Sequence, residues 1–154
     1  MKKIKEKKNT MQKLLLCVLT LCSIHLNVNA QEMDIKISNQ WARPILVAGR
    51  PGSAYLQIEN TGDMDDKLLS VSSTVSPRVE IHEHTMTDGV MKMSKVDYLE
   101  IKAKDSVQLS PGGYHIMIFD TSIQYDVGDQ IDLTLNFENT GSVTQTFNVL
   151  KQQP

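Results

Sequence analysis

The sequence has only two cysteines, Cys17 and Cys22, and both fall in its first 30 residues. It has no excess of basic residues, no low-complexity tract and no internal repeat. Beyond residue 30 no stretch of eleven or more residues carries convincing helical periodicity. Each absence excludes something. Without cysteine there is no disulfide framework and no thiolate chemistry in the main part of the chain. Without a basic surplus, nucleic acid and anionic membrane surfaces are disfavoured as partners. Without helical periodicity, a helical bundle or a βαβ architecture is excluded.

The first 30 residues read as an export signal. Lys2, Lys3, Lys5, Lys7, Lys8 and Lys13 form a basic start, an apolar run from Leu14 to about Leu26 follows, and Val28-Asn29-Ala30 ends it with small residues. Cleavage before Gln31 and a periplasmic product are expected. An uncleaved span is the weaker reading, because roughly 18 or more apolar residues are needed and this run is shorter and broken by His25 and Asn27. A lipoprotein signal at Cys22 is disfavoured by Leu21, which stands where a small residue is wanted. Of the 16 basic and 18 acidic residues, the leader takes six Lys and one Glu; residues 31–154 keep 10 and 17, a net charge of −7. They are expected to form one acidic domain held by core burial alone, without a membrane span and as a monomer.

What is present is alternation. Short strand-like stretches run at 35–41, 54–58, 67–71, 78–86, 90–93, 99–101, 107–109, 114–119, 131–137 and 143–149, separated by turn signals such as Asp88-Gly89, Pro111-Gly112-Gly113, Gly128-Asp129 and Asn139-Thr140-Gly141. The clearest, Ile131 to Phe137, is apolar at every second position. Many short strands at this spacing predict an all-β sandwich or barrel. Trp41 and Tyr114 read as packing residues, and Arg43 as a structural hydrogen-bonder.

Residues 31–154 hold three histidines and six methionines, and they cluster. His82, His84, Met86, Met91 and Met93 fall within twelve residues, and His115 and Met117 share a later strand. A lone methionine in a β-protein is usually core filler, and a lone histidine usually a hydrogen-bonded surface residue. The hairpin signal tests those readings jointly. A two-residue type I′ turn at Asp88-Gly89 puts Met86 opposite Met91 and His84 opposite Met93, with His82 diagonal to Met93 on the same face. A three-residue loop would send Met93 to the other face. A strand carrying His115 and Met117 beside this hairpin would bring two imidazoles and two thioethers together. Glu83 points to the opposite face, where solvation is expected.

Thioethers are soft, neutral donors that favour Cu(I), and imidazole binds copper well. Zinc prefers thiolate, imidazole and carboxylate, and calcium and magnesium prefer oxygen. A blue-copper electron-transfer centre needs a cysteine thiolate, which the mature chain does not supply. No acid–base or nucleophile set stands beside these residues, so a carrier is favoured over a copper redox enzyme and over a metal-free interaction module.

The chain resembles the periplasmic PCu(A)C-type copper chaperones, whose signature is His, ten residues, Met, twenty-one residues, His, any residue, Met. Here His82 is followed by residues 83–92, Met93, residues 94–114 and His115-Ile116-Met117. Trp41-Ala42-Arg43-Pro44, Ala54 to Asn60, Glu80-Ile81-His82-Glu83 and Pro111 to Met117 are similar to the family's flanking segments. The resemblance implies a cupredoxin-like Greek-key fold and one Cu(I) held by His82, Met93, His115 and Met117. It also implies delivery toward the Cu-A centre of cytochrome c oxidase, directly or alongside a Sco-like protein; copper storage or tolerance is the alternative. His84 could replace His82, bind a second ion with Met86, or line the rim; Met86 and Met91 read as shielding. The chain departs from the family in two places. Leu150 to Pro154 lacks a His- and Met-rich tail, and Asp120 to Val127 lacks a Pro-Leu pattern after the metal strand.

Overall fold

The computed structural model describes residues 34–153; the expected leader and its cleavage point lie outside them. The described residues form ten strands and no helix. These are β1 (Ile35–Ala42), β2 (Gly52–Asn60), β3 (Asp66–Ser72), β4 (Arg78–Thr87), β5 (Val90–Lys95), β6 (Leu99–Ile101), β7 (Ser106–Leu109), β8 (Tyr114–Phe119), β9 (Gln130–Phe137) and β10 (Ser142–Val149). Each stretch of alternation in the sequence has become one of them. Their order along the hydrogen-bonded path is β5-β4-β8-β2-β1-β10-β9-β3-β6, with β7 also pairing β2. The path stays open, with β5 and β6 at its edges, and it folds over so that β3 packs against β4 and β6 against β2. The resulting sandwich is the all-β class expected.

Alternation explains which side chains enter the core. Ile131, Leu133, Leu135 and Phe137 of β9 are buried, and so are Ala54, Leu56 and Ile58 of β2, Ile81 of β4 and Ile116 and Ile118 of β8. Each fully buried Leu, Ile or Phe contributes about 1.5–3 kcal/mol, and this burial does the work of the missing disulfides. Tyr114 packs at the margin of the same cluster, as expected.

One residue departs from the simple alternation. The register between β1 and β2 shifts between Ser38 and Trp41, where Asn39 has a positive φ of 55°. This β-bulge inverts the faces of β1. Ile35 points into the core before it and Ala42 after it, so Trp41, 2% exposed, is buried on the other face of the sheet. There it stacks on Tyr55 with ring centroids 4.5 Å apart. Arg43 is exposed and is held through its backbone N–H, which donates to Ser53 O at 2.9 Å.

Candidate metal centre

The β4–β5 hairpin closes on two residues, Asp88 (φ 52°) and Gly89 (φ 76°), the positive pair that a type I′ turn requires. Its register sets Met86 opposite Met91, His84 opposite Met93 and His82 opposite Lys95. On the other side of β4, β8 pairs antiparallel, with His82 opposite His115 and Glu80 opposite Met117. The expected neighbouring strand is therefore β8. Since Ile81, Ile116 and Ile118 point into the core, the side chains between them in sequence emerge on the reverse face. That face carries Arg78, Glu80, His82, His84 and Met86 from β4, Met91 and Met93 from β5, and His115, Met117 and Phe119 from β8. It continues into β2, where Ser53 lies opposite Met117.

Burial grades across the cluster. His115 is 3% and His82 8% exposed, whereas Met93 is 45%, Met91 61% and Met86 65% exposed. The two buried imidazoles lie with ring centroids 6.0 Å apart and planes at 46°. Their hydrogen bonds fix their tautomers, because each partner accepts only. His82 Nε2–H donates to Glu80 Oε2 at 2.8 Å, so the lone pair is on Nδ1. His115 Nδ1–H donates to Gly113 O at 2.9 Å, so the lone pair is on Nε2. His82 Nδ1 is buried and has no hydrogen-bond partner. A buried, unpartnered polar atom is costly and calls for a partner, an ordered water or an ion.

Electrostatics favour a neutral His115 ring. Burial pushes the His115 pKa down, against the Gly113 hydrogen bond, and His84 and His82 push the same way as burial. The hydrogen bond from His82 is the largest cause holding Glu80 below the usual carboxylate range, with Lys95 and Arg78 assisting. Lys95 Nζ and Arg78 Nη1 stand 3.8 and 3.6 Å from Glu80 Oε1. Arg78 also lies 3.8 Å over the Phe119 ring, which is 5.8 Å from the His82 ring.

His84 is placed differently. Its ring stacks on His115 at 4.6 Å with only 17° between the planes. A metal binds imidazole in the ring plane, and two nearly parallel, face-to-face planes do not meet within reach of both nitrogens. His84 and His115 are therefore poorly arranged as ligands of one ion in this conformation. The nitrogen Nδ1 of His84 is also buried without a hydrogen-bond partner.

Sequence reasoning assigned no role to Glu80 or Phe119. The signal for Glu80 is its parity: an acid two residues before a histidine on a strand shares its face. Glu83 does lie on the opposite face, but half-buried across from Tyr114 rather than fully solvated.

A family model described as "Putative lipoprotein LpqE-like" matches residues 35–149. The chain belongs to the LpqE-like family. Uncharacterized protein RP573 of Rickettsia prowazekii is 30% identical over 127 residues, covering 80% of this chain and 70% of that one. Among solved structures, the copper-bound PCuAC domain from PmoF2 is 28% identical, with a TM-score of 0.65 over 79% of this chain and 94% of that one. The apo PCuAC domain from PmoF1 is 25% identical, with a TM-score of 0.65 over 76% of this chain and 93% of that one. The fold of this LpqE-like chain is thus the cupredoxin-like one of PCuAC domains, and the resemblance expected from the His and Met spacing is borne out.

Proposed function

We propose that this LpqE-like protein is an exported carrier that holds one Cu(I) between His82 Nδ1, His115 Nε2, Met93 and Met117. The observation that carries the reading is the buried, unpartnered Nδ1 of His82 on the strand facing His115. Glu80 and Gly113 occupy the other nitrogen of each ring, the outer-shell arrangement that orients metal-binding histidines. Among the described residues no group of three or more His, Cys, Asp or Glu is arranged to hold a metal, so a site here draws on thioethers, and thioethers favour Cu(I). The likeness to a copper-bound PCuAC domain supports the same ion.

Four neutral donors leave the ion's charge at +1, which suits firm binding followed by release. Met93 at the exposed edge is the donor an acceptor protein reaches first. The resemblance favours delivery toward the Cu-A centre of cytochrome c oxidase or to a Sco-like protein, with storage or tolerance as the alternative use of the same site. The basic and apolar start of the chain, together with the family's lipoprotein description, supports export to the periplasm; among the described residues no helix is long and apolar enough to cross a membrane.

X-ray absorption of the Cu(I)-loaded protein tests the donor set. A shell of two nitrogens and two sulfurs is expected. A shell without sulfur overturns the assignment.

A further inference from the structure

The reading above leaves three donors unused on the same face: His84, Met86 and Met91. Met86 and Met91 are directly opposed across the hairpin, next to the His84–Met93 pair. Directly opposed residues have Cβ atoms about 4.5–5.5 Å apart and diagonal neighbours about 7–8 Å apart, within reach of long side chains. The two thioethers are among the most exposed apolar side chains described, at 65% and 61%. Met91 lies on the edge strand β5 and Met86 on the last part of β4, past the end of its ladder with β8 at Glu83, so neither has a core to fill. His84 is turned away from sharing an ion with His115 by its stacked ring, and its Nδ1 lacks any hydrogen-bond partner.

We propose that His84, Met86 and Met91 form a second, outer Cu(I) site, through which the ion passes between solvent or a partner protein and the inner site. The proposal rests on the carrier reading and extends it. Met93 stands between the two sites, opposite His84 and diagonal to His82, and serves as the donor common to both. Transfer is then a sequence of ligand exchanges. Copper keeps its oxidation state while Cu–N or Cu–S bonds to the outer donors form as those to the inner donors break, with Met93 retained throughout. The inner site offers two buried imidazoles and the outer one a single imidazole with exposed thioethers, so the outer site is the weaker and the ion rests inside. Three donors of this softness still select Cu(I) over zinc or the alkaline-earth ions.

The test is an anaerobic Cu(I) titration of the protein as cells process it, followed by NMR of ¹³C-labelled methionine methyl groups and ¹⁵N-labelled imidazoles. The first equivalent should move His82, His115, Met93 and Met117. A second, weaker equivalent should move His84, Met86 and Met91. The double variant Met86→Leu/Met91→Leu should lose the second equivalent and keep the first; both side chains are exposed, so the fold is not at stake. Retention of the second equivalent by that variant overturns the proposal. So does saturation at one equivalent with the methyls of Met86 and Met91 unmoved. Failure of even the first equivalent to bind is a different result: it removes the carrier reading itself, and the outer site with it.

Discussion

His82 and His115 face each other directly across the β4–β8 ladder, yet a different ring nitrogen is hydrogen-bonded in each. The Glu80 carboxylate holds Nε2 of one, and the Gly113 carbonyl holds Nδ1 of the other. Both partners lie two residues before their histidine: Glu80 shares its face of β4 with His82, while Gly113 offers its backbone carbonyl from the turn that precedes β8. The chemistry of the site is therefore set by short, local segments that the sheet merely brings together.

Glu80→Gln tests that orientation. The amide presents both a donor and an acceptor to His82, so the tautomer is no longer enforced. Loss of an outer-shell partner costs about ten- to a hundredfold in metal affinity, and a drop of that size in Cu(I) affinity is expected. ¹⁵N NMR of the metal-free variant should show His82 as a mixture of tautomers. An unchanged tautomer with unchanged affinity would assign Glu80 to solvation alone.

The hairpin turn controls which methionines share a face with His82. Insertion of one residue after Gly89 moves Met91 and Met93 to the reverse side if β5 slides with the turn, since a one-residue slip exchanges the two faces of a strand. Because β5 is an exposed edge, the melting temperature should fall by only a few degrees while Cu(I) binding is strongly weakened. Full affinity in the inserted protein would show that Met93 is dispensable.

The hairpin was legible in the sequence because Asp88-Gly89 fixes turn type and register at once. The ten strands were legible because their alternation is clean, as in Ile131 to Phe137. The β1 bulge was not: it rests on Asn39 adopting a positive φ, a conformation no pattern of hydrophobicity announces, and it carries Trp41 to the face opposite the main core. The roles of His82 and His84 could not be separated from register alone, which sets His84 opposite Met93. The observation that favours His82 in the proposed site is ring orientation, a property of packing around His115. Glu80 was overlooked because an acid on an outward strand face ordinarily reads as solvated.

Asp66 is the clearest stability determinant outside the site. It is buried between β3 and the β9–β10 turn, where its carboxylate accepts from the backbone N–H groups of Asn139 and Thr140, from the Thr140 hydroxyl and from the N–H of Lys67. Burial raises its pKa, but these hydrogen bonds together outweigh burial and hold it below the ordinary value. Its contribution is thus present above the unfolded pKa of about 3.9 and is lost as pH falls through the lower, folded value. Asp66→Asn should cost about 2 kcal/mol at pH 7 and flatten the acid limb of stability below pH 4, as denaturant melts across pH will show. A variant that keeps the parent's acid limb would move that limb to other carboxylates.

The start of the mature protein is open to direct measurement. Mass spectrometry of protein from the envelope fraction should find Gln31 at the N-terminus. A lipid-modified Cys22 there instead would place the carrier on a membrane surface and reverse the weight given to Leu21.

Competitive Cu(I) titration bears on the whole donor set at once. The parent protein and the variants Met93→Leu and His115→Ala are titrated anaerobically against a chromophoric Cu(I) chelator. One tight equivalent is expected in the parent, lost or severely weakened in both variants, with the folds intact by circular dichroism. Undiminished tight binding in either variant, or no competition by the parent, would rule out His82, Met93, His115 and Met117 as the copper ligands.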